Sequence, residues 1–175
     1  MIDEKTIIEY IKVSTADVFS TMLGMDVSSK QEYSDQNAPT VSESVLAFVG
    51  IAGSWAGTGV ISCSPDFACR LSNRFLMSDC TSVNEEVLDA VVEVANMVIG
   101  NFKTMVEERV GPLGLSIPTV VYGRNFGSRS LGSGNWIVLP FRCEDGAMTV
   151  RCCLAPAEEP LTVRPGWLGN AVLDT

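Results

Sequence analysis

The stretch from Asn84 to Lys103, continuing to Glu107, constrains the fold more than any other part of the chain. At about 100° per residue, Val87, Leu88, Val91, Val92, Ala95, Val98, Ile99, Phe102, Met105 and Val106 line up as one apolar stripe. A stripe of that length demands a layer to bury it. On the opposite side, Asp89, Glu93, Asn96, Gly100, Lys103 and Glu107 follow one another at spacings of three and four. The first four fall within an arc of about 60°, so they rise from a single line on the helix. Such a line is either a solvated face or a surface presented to a partner.

Composition narrows the setting. A chain of 175 residues is long enough for one domain with a real core and short for two. With 46% hydrophobic and 19% charged residues, it reads as a folded globular protein. Twelve basic residues against 21 acidic ones give −9, which argues against nucleic acid and anionic membrane as partners. A cytoplasmic location is expected, because Met1-Ile2-Asp3-Glu4-Lys5 places two acids where a signal peptide needs a basic start. Ser44 to Pro65 carries no charge over 22 residues, yet Gly50, Gly53, Gly57 and Gly59 divide it into strand-like pieces rather than a membrane helix.

Six cysteines (Cys63, Cys69, Cys80, Cys143, Cys152 and Cys153) form no Cys-x-x-Cys pair, and histidine is absent. The thiols are expected to be reduced and packed as small hydrophobes. Without histidine there is neither a His-dependent triad nor the usual general base near neutral pH.

Taken in order, residues 3–23 read as a first helix, with Ile7, Ile8, Ile11, Ala16, Val18, Phe19, Met22 and Leu23 as its apolar side and Gly24 as its stop. Residues 26–39 are polar and read as a loop. Residues 44–52 and 57–64 read as two strands joined around Gly53-Ser54-Trp55-Ala56. Ser64-Pro65 opens a short helix to about Met77 that points Phe67, Ala68, Leu71, Phe75 and Leu76 inward. The long helix, opened by Ser82 or Asn84, ends at Gly111-Pro112. Residues 115–123 read as a strand with Pro118 near its start, and 124–134 as a flexible loop. Residues 135–144 and 147–155 alternate as a hairpin turning at Glu144-Asp145-Gly146. A domain over 1–155 is therefore expected, with 156–175 as an irregular tail. A long helix followed by an antiparallel pair occurs twice, which predicts an α+β fold of two similar halves forming one sheet packed by long helices.

The polar line suggests positioning rather than acid–base chemistry. Glu93 can grip a lysine or arginine, while the Asn96 carboxamide both donates and accepts and can hold a water in line. Phosphoryl transfer is catalysed largely by such positioning and electrostatics. Gly100, one turn further, costs about 1 kcal/mol against alanine inside a helix, so close approach of a partner is a reason to consider. The plain alternative is a solvated face.

The run Asp89-x3-Glu93-x2-Asn96-Met97-x2-Gly100-Asn101-x-Lys103, followed by Ile117-Pro118-Thr119-Val120-Val121-x-Gly123, resembles the CheX family of chemotaxis phosphatases, which group with CheC and FliY. Gly53-x-Trp55-x-Gly57 and Ser64-Pro65-Asp66-Phe67-Ala68 are similar to that family too, and the likeness spans roughly residues 5–155. The resemblance implies a phosphatase acting on the aspartyl phosphate of a CheY-like response regulator. Asn96 would orient the attacking water, and Glu93 would pair with the regulator's active-site lysine. The resemblance also implies no cofactor of the chain's own, since Mg2+ belongs to the response-regulator partner. CheC-like members carry two Glu-Asn helices and this chain carries one, which is similar to CheX and implies a homodimer formed partly by strand exchange.

Other residues keep two roles open. Asp89 is a second docking contact or a favourable charge near the helix start. Lys103 reaches the partner or pairs with Glu107 along the helix. Met97 is a partner contact or a core edge. A non-catalytic module with the same fold is the main alternative to an enzyme. A thiol sensor built on Cys152-Cys153 is a third reading, opposed by the fact that adjacent strand residues point to opposite faces.

Overall fold

Asn84 opens the long helix as its side chain dictates: Oδ1 accepts a 2.9 Å hydrogen bond from Val87 N. This helix, α3, is Glu85–Val110, and its end is marked by Gly111, whose N–H donates to Glu107 O at 3.0 Å. The computed structural model describes residues 2–35, 40–127, 135–144 and 146–157. Helix α1 is Glu4–Leu23, capped by Asp3, which accepts from Thr6 N at 2.8 Å, and closed by Gly24 in the left-handed region. Helix α2 is Pro65–Leu76, with Ser64 Oγ accepting from Phe67 N at 3.2 Å and Pro65 in the first turn, where its missing N–H costs nothing.

The strands are β1 (Ser28–Ser29), β2 (Tyr33–Asp35), β3 (Thr40–Gly53), β4 (Trp55–Cys63), β5 (Leu113–Leu115), β6 (Thr119–Gly127), β7 (Trp136–Cys143) and β8 (Gly146–Pro156). They form one antiparallel sheet in the order β1-β7-β8-β4-β3-β5, with β2 also on β7 and β6 also on β3. The hairpins β3–β4 and β7–β8 meet through β4 and β8, where Ile61 pairs with Val150 and Gly59 with Cys152. Helix plus hairpin, twice, joined at the centre of one sheet is the α+β arrangement expected.

All three helices lie on one face. Val45, Ala47 and Val49 of β3, Ile61 of β4, Leu139 of β7 and Val150 of β8 join Ile11, Phe19, Val91, Val98 and Phe102 in one buried cluster. Each fully buried side chain of this size stabilises by about 1.5–3 kcal/mol. Gly59 sets how closely α3 approaches: a Cβ there would stand 2.4 Å from Ile99 Cδ1, so only glycine lets that side chain lie on the strand. The opposite face carries a smaller buried cluster of Leu46, Val60, Trp136 and Val138.

Several elements differ from expectation. The polar segment 26–39 contains β1 and β2, short strands of Ser, Tyr and Asp that exist only because β7 offers them an edge. The first hairpin turns more tightly, at Ser54, with Gly53 at φ 151°. The strand expected over 115–123 is split: β5 ends at Leu115 and β6 starts at Thr119, after Pro118, which has no N–H to donate. Ser116 bridges the gap, donating its N–H to Gly50 O at 2.9 Å and accepting Gly50 N on Oγ at 2.8 Å. Residues 124–127, expected in a loop, continue β6, and residues 128–134 lie outside the described residues. On α1, Ala16 and Met22 are exposed while Ser14 and Thr15 are buried, their hydroxyls bonded back to Tyr10 O and Ile11 O. Strand β8 reaches Pro156, and the tail from 158 onward lies outside the described residues. None of the described helices is long and apolar enough to cross a membrane.

Candidate functional site

The apolar stripe and the polar line of α3 part as the helical period requires. Val87, Val91, Ala95, Val98, Ile99, Phe102 and Val106 are buried as expected, Ala90 and Val94 join them, and Leu88, Val92 and Met105 are only half-buried, whereas Asp89 and Glu93 are exposed and Asn96 and Gly100 half-exposed. Because the stripe is clamped on sheet and α1, the polar line is carried on a rigid rod. Asn101 Nδ2 adds a 3.2 Å bond to Asp17 Oδ2 on α1.

Among the described residues, the carboxylates of Asp89 and Glu93 and the carboxamide of Asn96 have no hydrogen bond or ion pair. Glu93 and Asn96 stand one turn apart with their polar atoms free. Gly100 has no intramolecular reason to be glycine: a Cβ there would meet only Leu115 Cδ1, at an ordinary 3.9 Å. Helix α1 has no Glu-x2-Asn pair in its sequence.

The residues with open roles have these neighbours. Lys103 Nζ lies 2.5 Å from Glu107 Oε2, so its ammonium is engaged along the helix. Met97 is half-buried against the main core and forms the edge between core and polar line. Asp89 is exposed, as Glu93 is, one turn in from the Asn84 cap.

A groove of about 680 Å³ adjoins the polar line, with Phe75 and Leu76 of α2 on one side and Glu85, Glu86, Asp89 and Glu93 of α3 on the other. Leu76, expected inward, is 42% exposed, and Met77 beside it is 95% exposed in a left-handed conformation at φ 55°. That turn ends α2 one step early and swings both side chains outward. The following connection is held by Asn73, whose Oδ1 accepts from Cys80 N at 2.7 Å and whose Nδ2 donates to Cys80 O at 3.0 Å. The groove escapes a sequence reading, although the low apolar content of residues 78–86 hints that this connection does not cover Leu76.

All six cysteines are free thiols. Burial pushes the Cys63 thiol up to about 12 and raises Cys152 and Cys153 as well, so little reactive thiolate forms near neutral pH. Cys152 lies in the main core and Cys153 packs against the cluster on the other face. A sensor built on this pair lacks both reactivity and geometry.

No curated protein matches the sequence. Among solved structures, the chain is similar to a CheC-like superfamily protein from Shewanella sp. PV-4 (TM-score 0.77, 23% identity), covering 88% of this chain and 99% of that one. It is also similar to the chemotaxis protein CheX from Desulfovibrio desulfuricans (TM-score 0.75, 27% identity), covering 85% and 99%. A third similar structure is the CheX of Borrelia burgdorferi in complex with CheY, BeF3 and Mg2+ (TM-score 0.73, 21% identity), covering 88% and 99%. The family described as chemotaxis phosphatase CheX matches residues 45–142, from the first hairpin through the whole of α3 to the last. More than half of the sequence, the complete sheet-and-helix architecture and the site-bearing helix thus agree, and the chain belongs to the CheX family.

Proposed function

We infer that the protein hydrolyses the aspartyl phosphate of a CheY-like response regulator, using Glu93 and Asn96 of α3. The observation that carries the reading is the pair itself: two polar side chains one turn apart on a clamped helix, neither engaged within the described residues. A carboxylate and a carboxamide left free at the surface of a clamped helix are available to a docking partner. Family membership supplies the reaction class.

Asn96 reaches beside the acyl phosphate, and its carboxamide oxygen accepts a hydrogen bond from water, aligning the water oxygen with phosphorus. The new water oxygen–phosphorus bond forms as the phosphorus bond to the aspartyl oxygen breaks. Inorganic phosphate leaves and the regulator's carboxylate is restored. Glu93 pairs with a lysine of the regulator and fixes the docking. Mg2+ carried by the regulator would supply charge neutralisation at the phosphate, so the chain would need no cofactor of its own. Gly100 keeps the helix low where the partner approaches, and Asp89 with Glu85 and Glu86 gives the adjoining groove a negative wall that suits a basic partner surface. Phe75 and Leu76 add apolar contact on its other side.

The test is phosphate release from a panel of acyl-phosphorylated receiver domains, with wild type and Asn96→Ala compared on the regulator that responds. Release well above spontaneous hydrolysis by wild type and near the spontaneous rate by Asn96→Ala is the expected result. A regulator that binds tightly but keeps its phosphate would make the chain a non-catalytic adaptor instead.

A further inference from the structure

The geometry points to a second binding site, on the sheet face turned away from α3, that takes a small phosphate-bearing molecule. Strand alternation builds it. Ser44 of β3, Ser62 of β4, Thr149 and Arg151 of β8 and Arg142 of β7 share the face opposite the helices, and Lys30, held to β7 by a 2.8 Å bond from its N–H to Pro140 O, joins them at the rim. Together they line a concavity of about 750 Å³, within the range of small-molecule sites. Short hydroxyl side chains make a low polar floor, and three cations stand over it.

The charge here is against the trend of the chain. The protein carries −9 overall, yet three of its twelve basic residues converge on one concavity. Among the described residues, neither Lys30 nor Arg142 pairs with a carboxylate. Arg151 is the more telling. Its side chain is only 13% exposed, its Nη1 stands 3.8 Å from Asp35 Oδ2, beyond hydrogen-bonding distance, and its Nε is buried with no partner at all. Nε is too deeply buried for a ligand to reach, but a largely buried guanidinium is costly unless anions meet the nitrogens it turns to the concavity. A carboxylate offers two acceptor oxygens in a plane. A tetrahedral phosphate offers three or more, and matches a guanidinium fork, a second guanidinium, an ammonium and hydroxyl donors arriving from different sides.

This site is independent of the phosphatase reading, since it lies across the sheet from Glu93 and Asn96 and shares no residue with them. Its ligand is a phosphate group, either orthophosphate or the terminal group of a small diphosphate.

The test titrates inorganic phosphate and pyrophosphate into the full chain by calorimetry, at constant ionic strength set with sodium chloride. Saturable binding with a dissociation constant at or below about 1 mM is expected, near −4 kcal/mol on the affinity scale. Tighter binding of pyrophosphate assigns a diphosphate ligand, and equal or tighter binding of phosphate assigns orthophosphate. Lys30→Gln with Arg142→Gln should weaken binding at least tenfold while leaving thermal stability without ligand, and phosphate release from a phosphorylated regulator, at wild-type values. Arg151→Lys keeps the charge but loses the fork, and should weaken binding too. The proposal is overturned if neither probe binds, if the double variant binds as wild type does, or if chloride alone reproduces the heat.

Discussion

Glu107 takes the Lys103 ammonium on one carboxylate oxygen at 2.5 Å and the Leu113 N–H on the other at 2.7 Å. One side chain thus ties the last turns of α3 to the start of β5. The Lys103 contact first, and the Leu113 N–H second, hold the Glu107 carboxyl below its ordinary value of 4.5. A carboxyl depressed in the native state stabilises the fold above its unfolded pKa, and that stability is lost as pH falls through the lower native value. Glu107→Gln should therefore flatten the acid limb of a stability profile below pH 4.5, measured by urea midpoints from neutral pH into the acid range. An unchanged acid limb would mean that the contact contributes nothing. Lys103→Met should leave regulator binding unaffected, since its ammonium is already engaged.

The two residues of the polar pair should fail differently. Asn96→Ala loses an interaction made with the attacking water, so the maximal rate should fall by about 100-fold or more with little change in affinity. Glu93→Ala should weaken binding as well as rate, and its binding defect should shrink in high salt, where a charge pair is screened. Phosphate release and equilibrium binding on the same regulator separate the two. If Asn96→Ala releases phosphate at the wild-type rate, the catalytic assignment is wrong.

A Cβ at Gly100 would make only an ordinary 3.9 Å contact with Leu115 Cδ1, so Gly100→Leu should leave the fold intact and even stabilise α3 by up to about 1 kcal/mol. It should block regulator binding by bulk. Wild-type affinity in a stable Gly100→Leu variant would remove Gly100 from the docking surface.

Gly59 presents the opposite case. Its missing Cβ is filled by Ile99, so Gly59→Val overpacks the contact between α3 and β4 and should cost at least about 1–3 kcal/mol. A melting temperature equal to wild type would show that α3 can ride higher on the sheet than the buried stripe implies.

Strand β6 pairs only with β3 among the described residues, which leaves its outer edge open to another strand. With one Glu-Asn helix per chain, a homodimer at micromolar concentration is expected. Light scattering that returns the 18.8 kDa monomer mass up to high concentration would count against it.

What the residues determine alone is whatever depends on local geometry. Caps at Asp3, Ser64 and Asn84, stops at Gly24 and Gly111, and the partition of α3 into buried stripe and polar line follow from side-chain chemistry and the helical period, and need no knowledge of what packs where. The Glu93-Asn96 spacing belongs to the same class, which is why the candidate pair could be named before the fold was known. Tertiary structure decided the rest. The strands β1 and β2 have no pattern of their own and form because β7 supplies unpaired backbone groups. The outward turn of Leu76, and the groove that Phe75 and Leu76 make with α3, depend on where α2 stops relative to a helix it meets only in space. The gathering of Lys30, Arg142 and Arg151 over Ser44 and Ser62 depends on a strand order in which β7, β8, β4 and β3 are neighbours, although the sequence separates them by as much as about a hundred residues. Period fixes which face a residue takes, and only the pairing of distant backbones decides whose face it shares.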